Sequence, residues 1–288
     1  MAHIPTIGDY PEGLVVSGGR EKTIQVHKIE GPKLSHVWTL VGHTDNVCAL
    51  GVLDEKKDQI YLVSGSWDKT ARVWVNGVCI QTLEGHSAAV WAVLPLFVGS
   101  QLIIITASAD KTIKIWENGI CKKTIPAHTD CVRALTLIPG IGFASCGNDG
   151  AIKVWSFKGE CLQQLYGHTS FVYSLAHLSS GELVSSGEDR TVRIWKDGEC
   201  IQTINLPAIS IWCVNTLPNG DIVCGSNDGV ARVFTRYESR IADPGLVHEF
   251  EKSLADFAIP KYECFIVYLL FIIYWSFSFP FFFFFFVF

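Results

Sequence analysis

Short runs of alternating apolar and polar residues recur along most of this chain. Ala71-Arg-Val-Trp74, Ile113-Lys-Ile-Trp116, Ile152-Lys-Val-Trp155 and Val192-Arg-Ile-Trp195 alternate before closing on Trp. A period of two with β-branched residues predicts half-buried strands. A second run precedes each of these, as in Tyr61-Leu-Val-Ser64 or Glu182-Leu-Val-Ser185. Asp-Lys-Thr or Asp-Gly joins the two, and such residues suit tight hairpin geometry. Segments like Val90-Trp-Ala-Val-Leu94 come before the pair and segments like Cys79-Ile-Gln-Thr-Leu83 after it. Each unit therefore predicts four strands, and residues 14–235 carry no sustained helical period. Beyond them, Asp243 precedes Pro244, with apolar residues at 246, 250, 254 and 257. That pattern predicts a short amphipathic helix.

The units superimpose in frame. Residues 64–74, 106–116, 145–155 and 185–195 share one pattern, and 224–234 and 17–27 are weaker copies. In the weakest, Glu21 stands where the others carry Asp, and His27 where they carry Trp or Phe. From Trp74 onward the spacings are 42, 39, 40 and 39 residues. Four strands at a period near forty mark a β-propeller blade. Four blades also hold a His, a Ser or Thr, an Asp and a Trp at fixed phase. These are His43, Ser64, Asp68 and Trp74; His86, Thr106, Asp110 and Trp116; His128, Ser145, Asp149 and Trp155; and His168, Ser185, Asp189 and Trp195.

Ser, His and Asp together can form a nucleophilic triad. A hydrolase needs one such set, whereas here it is printed four times in frame with a Trp. The expectation is a buried polar network, with indole N–H to hydroxyl, hydroxyl to imidazole and imidazole to carboxylate. No catalytic residue is assigned and no enzymatic activity is expected. Net charge is -5, with 23 Lys plus Arg against 28 Asp plus Glu. With no basic run, nucleic acid is not an expected partner. The ten Cys form no C-x-x-C pair, so neither a metal nor a cofactor is expected. Gly-rich stretches such as Ser17-Gly-Gly lack the strand-to-helix setting of a phosphate cradle. Scattered thiols behind no secretory segment suggest a reducing compartment, the cytoplasm or the nucleus.

These repeats resemble those of the WD-repeat family over about 220 residues. Residues 64–74, 85–93, 206–213, 219–225 and 230–235 resemble the propeller of the phospholipase A-2-activating protein family in particular. The resemblance implies a non-enzymatic adaptor of the ubiquitin–proteasome pathway, with ubiquitin or ubiquitinated proteins as partners. It also implies a seven-bladed parent, later joined to a domain that docks on the valosin-containing AAA ATPase; that docking domain is not found in this sequence. The fold expected is an all-β WD-repeat propeller, incomplete, with about five and a half blades of seven. The expected layout is an irregular segment (1–13), the partial propeller (14–235), a linker with the short helix (236–260) and a hydrophobic tail (261–288).

In WD-repeat propellers, the residues that vary while the frame is kept crowd the top face around the central channel. Here the resemblance places Trp67, Trp91, Arg133, Asn148, Phe171, Tyr173, Glu188 and Trp212 there. Aromatics with Arg are the usual composition of interaction hot spots. The same side chains could instead fill the channel mouth, and Trp67, at a hairpin turn, is the one expected to be exposed. A WD-repeat platform for a partner other than ubiquitin is the alternative. From Cys264 to Phe288 no residue is charged, which suits a membrane anchor by hydropathy. Yet the segment from Ser276 to Phe286 is low in complexity and can be encoded by pyrimidine-only codons, as translated intron sequence would be. Read-through is the expectation for the tail, and a membrane partner follows only if the tail is genuine.

Overall fold

The structure, a computed structural model, describes residues 1–5, 10–53, 59–99 and 101–257 and the backbone of 269–273. It divides into two compact units, one running to Leu135 and the other from Thr136. Each is built of four-stranded sheets in which neighbouring strands follow one another along the chain.

In the first unit, one sheet comprises β1 (Ala2–Ile4), β2 (Leu14–Gly18), β3 (Ile24–Glu30) and β4 (Lys33–Leu40). The next comprises β5 (Val47–Leu53), β6 (Tyr61–Ser66), β7 (Ala71–Val75) and β8 (Val78–Leu83). A third holds β9 (Val90–Val98), β10 (Gln101–Ser108), β11 (Thr112–Glu117) and β12 (Ile120–Pro126). The alternation in each strand sends one row of side chains into the space between successive sheets. Ile4, Leu14, Val16, Ile24 and Val26 of the first sheet meet Val47, Leu62 and Trp74 of the second. Val63, Ala71 and Val73 of the second meet Val90, Val93, Ile104 and Trp116 of the third.

The boundary falls within β13 (Val132–Ile138), whose sheet continues through β14 (Gly142–Gly147), β15 (Ile152–Ser156) and β16 (Cys161–Leu165). Then come β17 (Val172–His177), β18 (Leu183–Gly187), β19 (Thr191–Lys196) and β20 (Glu199–Asn205). The last sheet is β21 (Ile211–Thr216), β22 (Ile222–Ser226), β23 (Ala231–Phe234) and β24 (Leu269–Ile273). Helix α1 (Pro244–Asp256) lays Phe250, Leu246, Val247 and Leu254 on a core that includes Ile211, Ile222 and Phe234. Asp243 caps it, its carboxylate accepting from Gly245 N at 2.8 Å. Asp243→Ala is expected to weaken the helix by about 1 kcal/mol, seen as faster amide exchange within α1 and unchanged exchange in β21–β23.

The expectation of about five and a half blades from a seven-bladed parent is corrected: among the described residues there are six four-stranded sheets. The missing strands come from the two ends of the repeat. Ala2, His3 and Ile4 pair with Val16, Val15 and Leu14. Leu269–Ile273 pairs with β23, through Ala231↔Ile273 and Phe234↔Leu269. Three residues are too few to show a period of two, and an unbroken apolar stretch carries no alternation at all, so both strands escaped the pattern. The read-through reading of Ser276–Phe286 concerns residues outside those described. Among the described residues no helix is long and apolar enough to cross a membrane.

Candidate functional site

The four repeated sets are placed by the hairpins that carry them. His43 lies just before β5, Ser64 within β6, Asp68 in the turn and Trp74 on β7. His43 Nδ1 and Asp68 Oδ2 are 2.7 Å apart, and His43 Nε2 lies 2.7 Å from Ser64 Oγ. Trp74 Nε1 donates to the same hydroxyl at 2.9 Å. Because the indole can only donate, the Ser64 proton goes to Nε2, and the imidazole keeps its own proton on Nδ1 for Asp68. His86, Thr106, Asp110 and Trp116 repeat this at 2.8, 2.7 and 2.8 Å. His168, Ser185, Asp189 and Trp195 do so at 2.8, 2.7 and 2.8 Å. In the remaining set, Trp155 donates to Ser145 at 2.8 Å and Asp149 accepts from Ala151 N at 3.2 Å. His128 of that set is buried in the first unit.

Each Asp also caps its hairpin. Asp68 accepts from Thr44 N, Thr70 N and Thr70 Oγ1. Burial would raise its carboxyl, but these donors and His43 outweigh that and hold it at about 2. Burial pushes His43 and His86 below the ordinary histidine value, against the pull of their carboxylates. Both shifts act in one direction. A depressed histidine stabilises the fold fully above 6.5 and loses that contribution as the pH falls toward its folded value. A depressed Asp does the same below about 4. The urea midpoint is therefore expected to drop between pH 7.5 and 5.5 and again below pH 4; a midpoint flat from pH 7.5 to 5 would contradict the network.

These sets cannot act as nucleophiles. Ser64, Thr106, Ser145 and Ser185 are 0 % exposed, and no substrate carbonyl could reach their oxygens. Three of the thiols are equally unsuited: burial pushes Cys48 and Cys213 up to about 12 and Cys131 up to about 11.

The last sheet solves the same problem differently, in a way the sequence reading missed. Arg232, nearly buried, sends Nη1 to Ser226 Oγ and Nη2 to Asp228 Oδ2, both at 2.7 Å. A guanidinium stands in where this blade carries Pro207 at the tetrad His position and Phe234 at the Trp position. The equivalent positions elsewhere are also basic, as in Arg72, Lys114, Lys153 and Arg193, so nothing in the pattern marked Arg232 as different.

The variable positions fall into two aromatic clusters, one in each unit. In the first unit, Trp67 is 45 % exposed at the β6–β7 turn. Its ring lies edge-on to Trp91 at 5.9 Å, and the Arg133 guanidinium sits 4.7 Å over the Trp91 ring. In the second unit, Tyr173 stacks on Trp212 at 4.6 Å and 22°, and Phe171 meets Tyr173 edge-on at 6.3 Å. The Tyr173 hydroxyl donates to Glu188. Phe171 and Trp212 are exposed at 38 % and 36 %. Asn148 is half-buried in the β14–β15 turn. Val41, Tyr166 and Ile209, exposed apolar residues just ahead of β5, β17 and β21, were not singled out from sequence. Val41 and Tyr166 are the variable residue before Gly-His, whereas Ile209 lies two residues after Pro207, the position that matches the His.

A family model described as WD domain, G-beta repeat matches residues 34–75, 77–117, 119–156, 159–196 and 198–235. The chain is 47% identical over 264 residues to Ubiquitin homeostasis protein lub1 of Schizosaccharomyces pombe, covering 91% of this chain and 35% of that protein. It is 45% identical over 259 residues to Phospholipase A-2-activating protein of Xenopus laevis, covering 90% of this chain and 32% of the relative. The chain thus spans about a third of the length of these relatives. A solved structure, the WD40 beta propeller domain of Doa1, matches with a TM-score of 0.73 and 43% identity, over 80% of this chain and 77% of that one. By the repeat match and the Doa1 likeness, the chain belongs to the WD40-repeat proteins, in the family that includes lub1, Doa1 and phospholipase A-2-activating protein.

Proposed function

We propose that this chain is a non-enzymatic adaptor that binds ubiquitin or ubiquitinated proteins through the top face of its propeller. The observation that carries the reading is the pair of exposed aromatic clusters on a scaffold similar to a protein named for ubiquitin homeostasis. Large rings with an Arg beside them favour capture of a folded protein surface. The frame beneath is held at each ring, by His and Asp in the sheets bearing Trp67, Trp91, Phe171 and Tyr173 and by Arg232 with Asp228 in the sheet bearing Trp212. Work in the cytoplasm or nucleus is consistent with nine free thiols among the described residues.

Intrinsic tryptophan fluorescence during a titration with mono-ubiquitin tests this, since Trp67, Trp91 and Trp212 report directly. Saturable change is expected. No saturable binding at millimolar ubiquitin would remove the proposal and leave a platform for another partner.

A further inference from the structure

The four sheets that carry a tetrad share a further cross-strand pair. After a bulge in the same place, each sets its Trp opposite a Cys on the outer strand: Trp74↔Cys79, Trp116↔Cys121, Trp155↔Cys161 and Trp195↔Cys200. The first sheet has the same bulge and the same register, but both residues are histidine, His27↔His36. Their ring centres are 5.6 Å apart at 78°. Two imidazoles bound to one ion at about 2.0–2.1 Å would place their ring centres about 5 Å apart at a tetrahedral angle.

The surroundings set the protonation needed for binding. Thr39 Oγ1 donates to Gln25 Oε1 at 2.8 Å, and the Gln25 amide is oriented by its own donation to Thr23 at 3.2 Å. With its proton committed, the Thr39 hydroxyl accepts from His36 Nε2–H at 2.9 Å. The lone pair of His36 is therefore on Nδ1. This is the outer-shell arrangement that fixes the tautomer of metal-binding histidines. His27 makes no hydrogen bond among the described residues, so neither of its ring nitrogens is committed to a neighbour. The adjoining cation, Lys28, is neutralised by Glu30 at 2.6 Å. His36 is exposed and His27 half-buried, so solvent reaches the pair.

We propose that His27 and His36 form a two-point site for a first-row divalent transition ion. No group of three or more His, Cys, Asp or Glu that could hold a metal occurs among the described residues, so water fills the other positions and the ion exchanges freely. Imidazole donors favour copper, nickel and zinc over magnesium or calcium.

Calorimetric titration of the full chain with Ni2+, in reducing buffer and with Mg2+ as control, tests the site. One Ni2+ is expected to bind, with no response to Mg2+. His27→Gln and His36→Gln are each expected to lower affinity by roughly 10²-fold, since the second ligand acts at high effective concentration. Thr39→Val, which keeps both ligands, is expected to cost about 10-fold. Affinity within two-fold of the parent in either Gln variant would overturn the proposal. Imidazole NMR signals of the parent chain give an answer independent of any variant's folding. Those of His27 and His36 are expected to broaden first on adding Ni2+, and earlier broadening of another histidine would equally overturn it.

Discussion

Replacing Asp110 by alanine is expected to destabilise the chain by about 3 kcal/mol, because stranding a buried polar partner costs about 1–3 kcal/mol and each lost hydrogen bond about 1. The carboxylate accepts from His86 at 2.8 Å, from Ser87 N at 3.0 Å, from Thr112 N at 3.0 Å and from Thr112 Oγ1 at 2.7 Å. Alanine leaves the His86 Nδ1–H with no acceptor in a buried setting and unfastens the β10–β11 turn. In a chain of this size, that corresponds to a fall in Tm of roughly 6–12 °C. Asp110→Asn retains an acceptor oxygen and is expected to lose less. A Tm within a degree of the parent for Asp110→Ala would mean that the network contributes nothing. No activity should vanish alongside the stability, since the hydroxyl in the set is sealed under Trp116.

Trp212→Ala should act in the opposite way, leaving the fold and removing the binding. The ring is exposed and stacks on Tyr173, which is itself held by Glu188. Such a pre-organised aromatic pair is where interaction energy concentrates, with losses of about 2 kcal/mol or more on truncation. The affinity for mono-ubiquitin is therefore expected to fall about 30-fold, with a Tm close to that of the parent. Trp67→Ala probes the other cluster separately. A fall for Trp212→Ala but not Trp67→Ala would assign the contact to the second unit. Parent-like affinity in both variants would dissociate binding from the aromatic positions.

The blades and their tetrads were legible in the sequence because both are periodic. A hairpin of alternating residues repeated every forty positions is readable even where one copy is eroded. The register that joins Trp74 to Ser64 follows from a ten-residue hairpin. Features present once had no such support. Ala2–Ile4 completes its sheet with only three residues, and Leu269–Ile273 does so through a pairing partner distant in sequence. Arg232 replaces a tetrad from a position that is basic in every sheet but the first, where it is Gln25. Exposure at Trp67 could be foreseen from its turn, whereas the Tyr173–Trp212 stack joins β17 to β21 and depends on how those two sheets pack. His27 was visible as a departure from the repeat, but its partner His36 emerged only with the register of β3 and β4.

We propose that a frame of fastened four-stranded sheets presents aromatic side chains to ubiquitin. Titrating isotopically labelled ubiquitin with the chain and with its Trp67→Ala, Trp212→Ala double variant tests it most directly. The expected result is a localised, saturable set of shift changes on one ubiquitin surface, lost with the double variant while its Tm is retained. Unperturbed ubiquitin spectra at millimolar chain, or identical perturbation by the parent and the double variant, would contradict the account.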